Sequence, residues 1–128
     1  MNGTTVERAR ELQERTKKFA VRIIRAFAAL PKTEEARVVG RQFLRLGTSV
    51  AANYRAACRA RSAADFISKI SVVAEEADET LFWLELLIEA ELVKAQLLQS
   101  LMSECGELLK IFSASLATAK RNRYSLSR

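Results

Sequence analysis

The stretch QFLRLGTSVAANYRAACRARSAADFISKISVVAEEADETLFWL, residues 42–84, decides the fold. At about 100° per residue it reads as two helices separated near Arg61 and Ser62. Phe43, Leu46, Val50 and Ala57 share one face of the first, and Phe66, Ile70, Val73, Ala77, Leu81 and Leu84 share one face of the second. The outer faces carry opposite charge, arginine on the first and glutamate on the second. The second outer face also presents Phe82 and Leu86.

Working outward, the same periodicity covers the chain. Leu12, Phe19, Ile23, Phe27 and Leu30 mark a helix that Pro31 stops, with Thr4 and Glu7 spaced as a capping box. Thr33 followed by Glu34 and Glu35 restarts the chain, because a hydroxyl cap and an acidic first turn satisfy free N–H groups. Ser62 with Asp65 repeats that signature, and Leu98, Leu101, Cys105, Leu108, Phe112 and Ala119 mark the last helix. The expected helices are about 5–30, 34–60, 63–90 and 95–121, with 122–128 a frayed tail. The break before the last helix has neither Gly nor Pro to mark it. One proline, four glycines and 49% hydrophobic residues in 128 leave few places to interrupt helix. The expected architecture is a single all-α domain, an up-down-up-down four-helix bundle, since short connections place four apolar stripes around one core.

Composition narrows function. Histidine is absent, which removes Ser-His and Cys-His nucleophile pairs and Glu-x-x-His metal ligands. Gly-rich phosphate loops are also missing. Glu75, Glu76, Asp78 and Glu79 are better read as structural carboxylates than as a metal site. No catalysis, cofactor or metal is expected. The start of the chain lacks a signal-peptide pattern, and its longest apolar run is interrupted by Glu85, so no membrane association and a cytoplasmic location are expected. Cys58 and Cys105, without a CxxC, read as reduced thiols.

The net charge of +6 is unevenly placed: residues 1–61 hold 14 Lys/Arg against 5 Asp/Glu, and residues 62–128 hold 7 against 10. Arg37, Arg41, Arg45, Arg55 and Arg59 form a stripe opposite the apolar face of their helix. A second basic stripe, Arg8, Arg15, Lys18, Arg22 and Arg25, flanks the apolar face of the first helix. Both are candidates for nucleic acid or for a neighbouring subunit, but no single-strand stacking platform is evident, since Tyr54 and Tyr124 are the only plausible aromatic interleaves. On the third helix Glu75, Glu79 and Glu89 surround Phe82 and Leu86, with Trp83 at the edge. A helix apolar on two sides is normally covered on both, so this face is the expected subunit interface, the glutamates forming its rim. Gln42, Ser49 and Asn53 lie at the edge of the second helix's apolar face and fit a structural polar network; a small polar ligand pocket is the alternative.

The segments Gln42-Phe43-Leu44-Arg45, Thr48-Ser49-Val50-Ala51-Ala52-Asn53-Tyr54, Ser62, Asp65-Phe66-Ile67-Ser68-Lys69, Glu75, Glu79-Thr80 and Trp83-Leu84 closely resemble the four helix bundle protein family, also called the 23S rRNA intervening-sequence or S23-like proteins. The resemblance spans about residues 12–120. It implies a bacterial cytosolic protein, a left-handed up-down bundle and a ring-shaped homopentamer. It also implies kinship with the accessory protein of diversity-generating retroelements, whose basic pentamer binds nucleic acid and a reverse transcriptase. Arg55 departs from the acidic residue common after the family's Ala-Asn, which makes this outer surface more basic. Two functions are therefore expected of a non-catalytic protein whose first partner is itself: a scaffold associated with RNA or DNA, or a self-assembling adaptor that binds another protein.

Overall fold

The structure is a computed structural model that describes residues 2–127, with side chains described for residues 5–124. It contains α1 (Asn2–Ala28), α2 (Glu34–Cys58), α3 (Ala63–Glu89) and α4 (Ala95–Ser127). Consecutive helices pack side by side and α4 returns to α1, giving an all-α up-down-up-down four-helix bundle.

Local chemistry sets the ends. The Thr33 hydroxyl accepts from Ala36 N–H at 3.3 Å and the Ser62 hydroxyl accepts from Asp65 N–H at 3.0 Å, so both caps form as their sequence patterns require. α1 begins at Asn2, ahead of Thr4, and the Thr4 side chain lies outside the described residues. α3 ends without glycine because Glu91 itself takes the left-handed conformation, at φ 61°. Glu91 N–H then donates to Ile88 C=O and Leu92 N–H to Leu87 C=O, both at 2.9 Å, which satisfies the last carbonyls in a Schellman arrangement. The helix-breaking signal missing from residues 91–94 is thus supplied by backbone geometry. α4 continues to Ser127, through the segment expected to fray from residue 122, where no Gly or Pro interrupts it.

Phe19, Ile23, Phe43, Ile70, Leu84, Leu87, Leu108 and Phe112 fill the core. Among the described residues two polar side chains are fully buried, and both donate to backbone of the preceding turn: Thr16 to Gln13 C=O at 2.9 Å and Thr80 to Glu76 C=O at 2.7 Å. Cys105 donates its thiol to Ala77 C=O at 3.3 Å, and both cysteines are free. The helices do not pack evenly. A Cβ at Gly47 would stand 2.7 Å from Ile23 and one at Gly40 would stand 2.5 Å from Leu30, so these two glycines bring α2 close against α1. The α1–α4 seam is much sparser than the other three.

Candidate nucleic-acid and self-assembly surfaces

The helical periods that bury Phe43, Val50 and Ala57 push Arg37, Arg41, Arg45, Arg55 and Arg59 to the outside of α2, and all five are exposed. None of them forms an ion pair among the described residues. Arg45 makes one long hydrogen bond, 3.4 Å to the Gln42 carbonyl oxygen. The stripe is therefore exposed positive charge in two groups, at residues 37–45 and 55–59, and among the described residues only Arg45 acts on a nearby carboxylate, that of Glu76.

The second basic stripe is used differently. Arg15 donates through Nε and Nη2 to Glu104 at 2.8 and 2.7 Å, and Nη2 reaches Glu107 at 2.6 Å. These contacts, the Glu104 hydrogen bond foremost, raise the Arg15 pKa further above its already high value. Arg22 donates to the Ser100 hydroxyl at 2.9 Å. Arg15 and Arg22 thus bridge the sparse α1–α4 seam, which leaves Arg8, Lys18 and Arg25 as exposed cations of that stripe with no ion pair among the described residues.

On α3 the carboxylates of Glu75, Glu79 and Glu89 are exposed and likewise make no ion pair among the described residues. Between them Phe82 is 53% exposed, and Leu86 is half-buried without joining the core. Trp83 packs against the core and meets the Phe82 ring edge-on at 5.1 Å, so it supports the apolar patch from beneath and is not itself its centre. Tyr54 is only 6% exposed and its ring lies 5.6 Å from that of Phe112, so it is a core aromatic and not a stacking platform for bases. The i, i+4 spacing from Val50 carried that signal and was outweighed by the arginines around it. Tyr124 is exposed.

Gln42, Ser49 and Asn53 are half-buried along the α2–α3 seam. Asn53 Nδ2 donates to Glu76 Oε1 at 2.7 Å, tying the two helices together. Burial raises the Glu76 pKa, and the Asn53 hydrogen bond and the Arg45 charge oppose that shift. Among the described residues, no three His, Cys, Asp or Glu side chains converge as metal ligands, Glu75, Glu76, Asp78 and Glu79 included. No described helix is long and apolar enough to cross a membrane.

A sequence model of the family described as 23S rRNA-intervening sequence protein matches residues 8–114. No curated protein matches. The fold is similar to a crystal structure described as a protein with unknown function from the S23 ribosomal protein family of Bacteroides thetaiotaomicron. The two share 35% identity over 85% of this chain and 97% of that one, with a TM-score of 0.79.

Proposed function

The chain belongs to the 23S rRNA-intervening sequence protein family, and from that premise we propose that it is a non-catalytic, self-assembling scaffold that binds RNA through its outer arginines. One observation carries the reading: Arg37, Arg41, Arg45 and Arg55 on α2 and Arg59 at its C-cap stand exposed and form no ion pair among the described residues. Cations one helical turn apart in two groups, separated by nearly three turns between Arg45 and Arg55, match a phosphate backbone in charge but not in sequence, so binding is largely sequence-independent and steeply salt-dependent. Lys18 and Arg25 extend the charge onto α1. The absence of histidine, with no metal-binding cluster among the described residues, fits a role without chemistry.

Self-assembly is the second half of the proposal. Phe82 and Leu86, rimmed by Glu75, Glu79 and Glu89, form an apolar and acidic face complementary to an arginine face on a different side of the same molecule. Contacts of that kind are head-to-tail and close into a ring, for which a homopentamer is the expected size. A ring multiplies the basic stripe, and polyvalency converts weak phosphate contacts into usable affinity.

The complementarity also favours a second reading. If glutamates of the next subunit neutralise Arg37, Arg41 and Arg45, the protein is an assembly or adaptor module for another protein with little nucleic-acid affinity. Titration with mixed RNA at low and high salt separates the two. Tight binding that weakens sharply with salt supports the scaffold, and no binding at low salt rejects it in favour of the adaptor.

A further inference from the structure

We infer that the corner between the end of α2 and the start of α3 is a site for a terminal phosphate, formed by Arg55, Arg59, Arg61 and Lys69. These four cations line a recess of about 610 Å³ whose floor is Ala52 and Ala56. They come from three separate places: two from the last turns of α2, one from the connection and one from the second turn of α3. Elsewhere on α2 the arginines, Arg37, Arg41 and Arg45, follow one exposed face of the helix. Here they surround a shared volume.

Helix-dipole preferences and the Asp65–Lys69 pair account for three of these cations but not for Arg61. Arg55 and Arg59 sit at the C-terminal end of α2, where cations are favourable, but Arg61 and Lys69 sit at the start of α3, where they are not. Asp65 is the recess's one carboxylate. It is engaged by Lys69 Nζ at 2.6 Å and by Arg61 N–H at 3.2 Å, and its pKa is lowered chiefly by the Lys69 hydrogen bond. The three guanidinium groups form no ion pair among the described residues, although the Arg61 charge also acts on Asp65. A phosphomonoester, close to a dianion at neutral pH, supplies the charge and the three acceptor oxygens that converging guanidiniums select, whereas a chain phosphodiester offers one charge and two free oxygens. The two small side chains leave room for it: Ala52 is exposed, so a longer residue there projects into the recess without disturbing the core.

This site deepens the RNA reading above and rests on it only for RNA as the carrier of the phosphate. The test compares a 5′-phosphorylated oligoribonucleotide with its 5′-hydroxyl twin, on the full chain. The phosphorylated form is expected to bind about fivefold tighter, the sum of a few exposed ion pairs. Arg61→Gln with Lys69→Gln, two recess cations outside the α2 stripe, removes that difference and leaves the 5′-hydroxyl affinity largely intact; Ala52→Glu, which places a carboxylate in the recess, also removes the difference. Equal affinity of the two RNAs for the wild-type protein overturns the site while the RNA reading stands. So does a preference that survives both variants. If neither RNA binds, the RNA reading fails and the site is judged with uridine 5′-monophosphate against uridine. Saturable shifts of the Arg55, Arg59 and Arg61 Nε–H resonances with the nucleotide alone support it, and their absence overturns it.

Discussion

Arg15 and Glu104 form a bidentate pair, with Nε and Nη2 of the arginine at 2.8 and 2.7 Å from the two carboxylate oxygens, and this pair spans the thinnest seam of the bundle. Glu104 is the more sheltered partner. Arg15→Met is expected to cost about 1 kcal/mol in chemical denaturation, with about 0.5 kcal/mol of coupling to Glu104→Gln in a double-mutant cycle. Additive single effects would show that the pair only decorates the seam.

Two glycines should respond in opposite directions to alanine. At Gly47 the new Cβ meets Ile23 at 2.7–2.9 Å, so Gly47→Ala forces α1 away from α2 and costs about 1–3 kcal/mol despite the gain in helix propensity. At Gly106 a Cβ meets nothing within 4 Å, and Gly106→Ala stabilises by about 0.5–1 kcal/mol. Thermal unfolding of the two variants checks both signs.

Glu91 occupies a left-handed position that glycine adopts without penalty, at φ 61° and on the surface. Glu91→Gly should therefore raise stability by about 1 kcal/mol, since the Schellman hydrogen bonds use only backbone. A loss of stability would mean that the glutamate side chain contributes to the cap.

The cysteines differ in environment. Cys58 is half-buried, whereas Cys105 is buried and its thiol is pushed up to about 12, chiefly by desolvation. One thiol per chain should react promptly with a disulfide reagent in the native state and two after unfolding. Because the folded thiol pKa is raised above 9.0, the contribution of Cys105 to stability is complete below that pH and is lost as pH rises toward 12. The urea midpoint should fall over that interval, and less so for Cys105→Ala.

Phe82→Glu combined with Leu86→Lys places two charges in the outer patch of α3 without touching the core. Light scattering is expected to show a multimer for the wild type and a mass near 14.3 kDa for the variant. An equal mass for both removes the proposed interface.

The fold was legible because its signals are local and redundant. Thr33, Ser62 and Pro31 mark three helix ends by side-chain chemistry, and the apolar stripes from Phe43 to Leu84 repeat long enough to fix a face. What was not legible depended on a partner far along the chain. The same-stripe residues Arg15 and Lys18 look alike in sequence, yet Arg15 is spent on Glu104, 89 positions away. Tyr54 packs on Phe112, and although its i, i+4 spacing from Val50 fits the apolar face, its partner on α4 cannot be read from α2. Glu91 ends α3 through a backbone conformation that its residue type disfavours, so no rule of composition announces it. The corner of Arg55, Arg59, Arg61 and Lys69 is assembled by the turn between two helices, and as a sequence it reads only as scattered basic residues.

The free arginine stripe of α2 is tested most directly by the salt dependence of RNA affinity. Each phosphate neutralised contributes about 0.7 to the slope of log K against log salt for a single strand. Replacing Arg37, Arg41, Arg55 and Arg59 together with Gln is predicted to flatten the wild-type slope by about 3. An unchanged slope, or a wild-type protein that binds no RNA at low salt, would contradict the account.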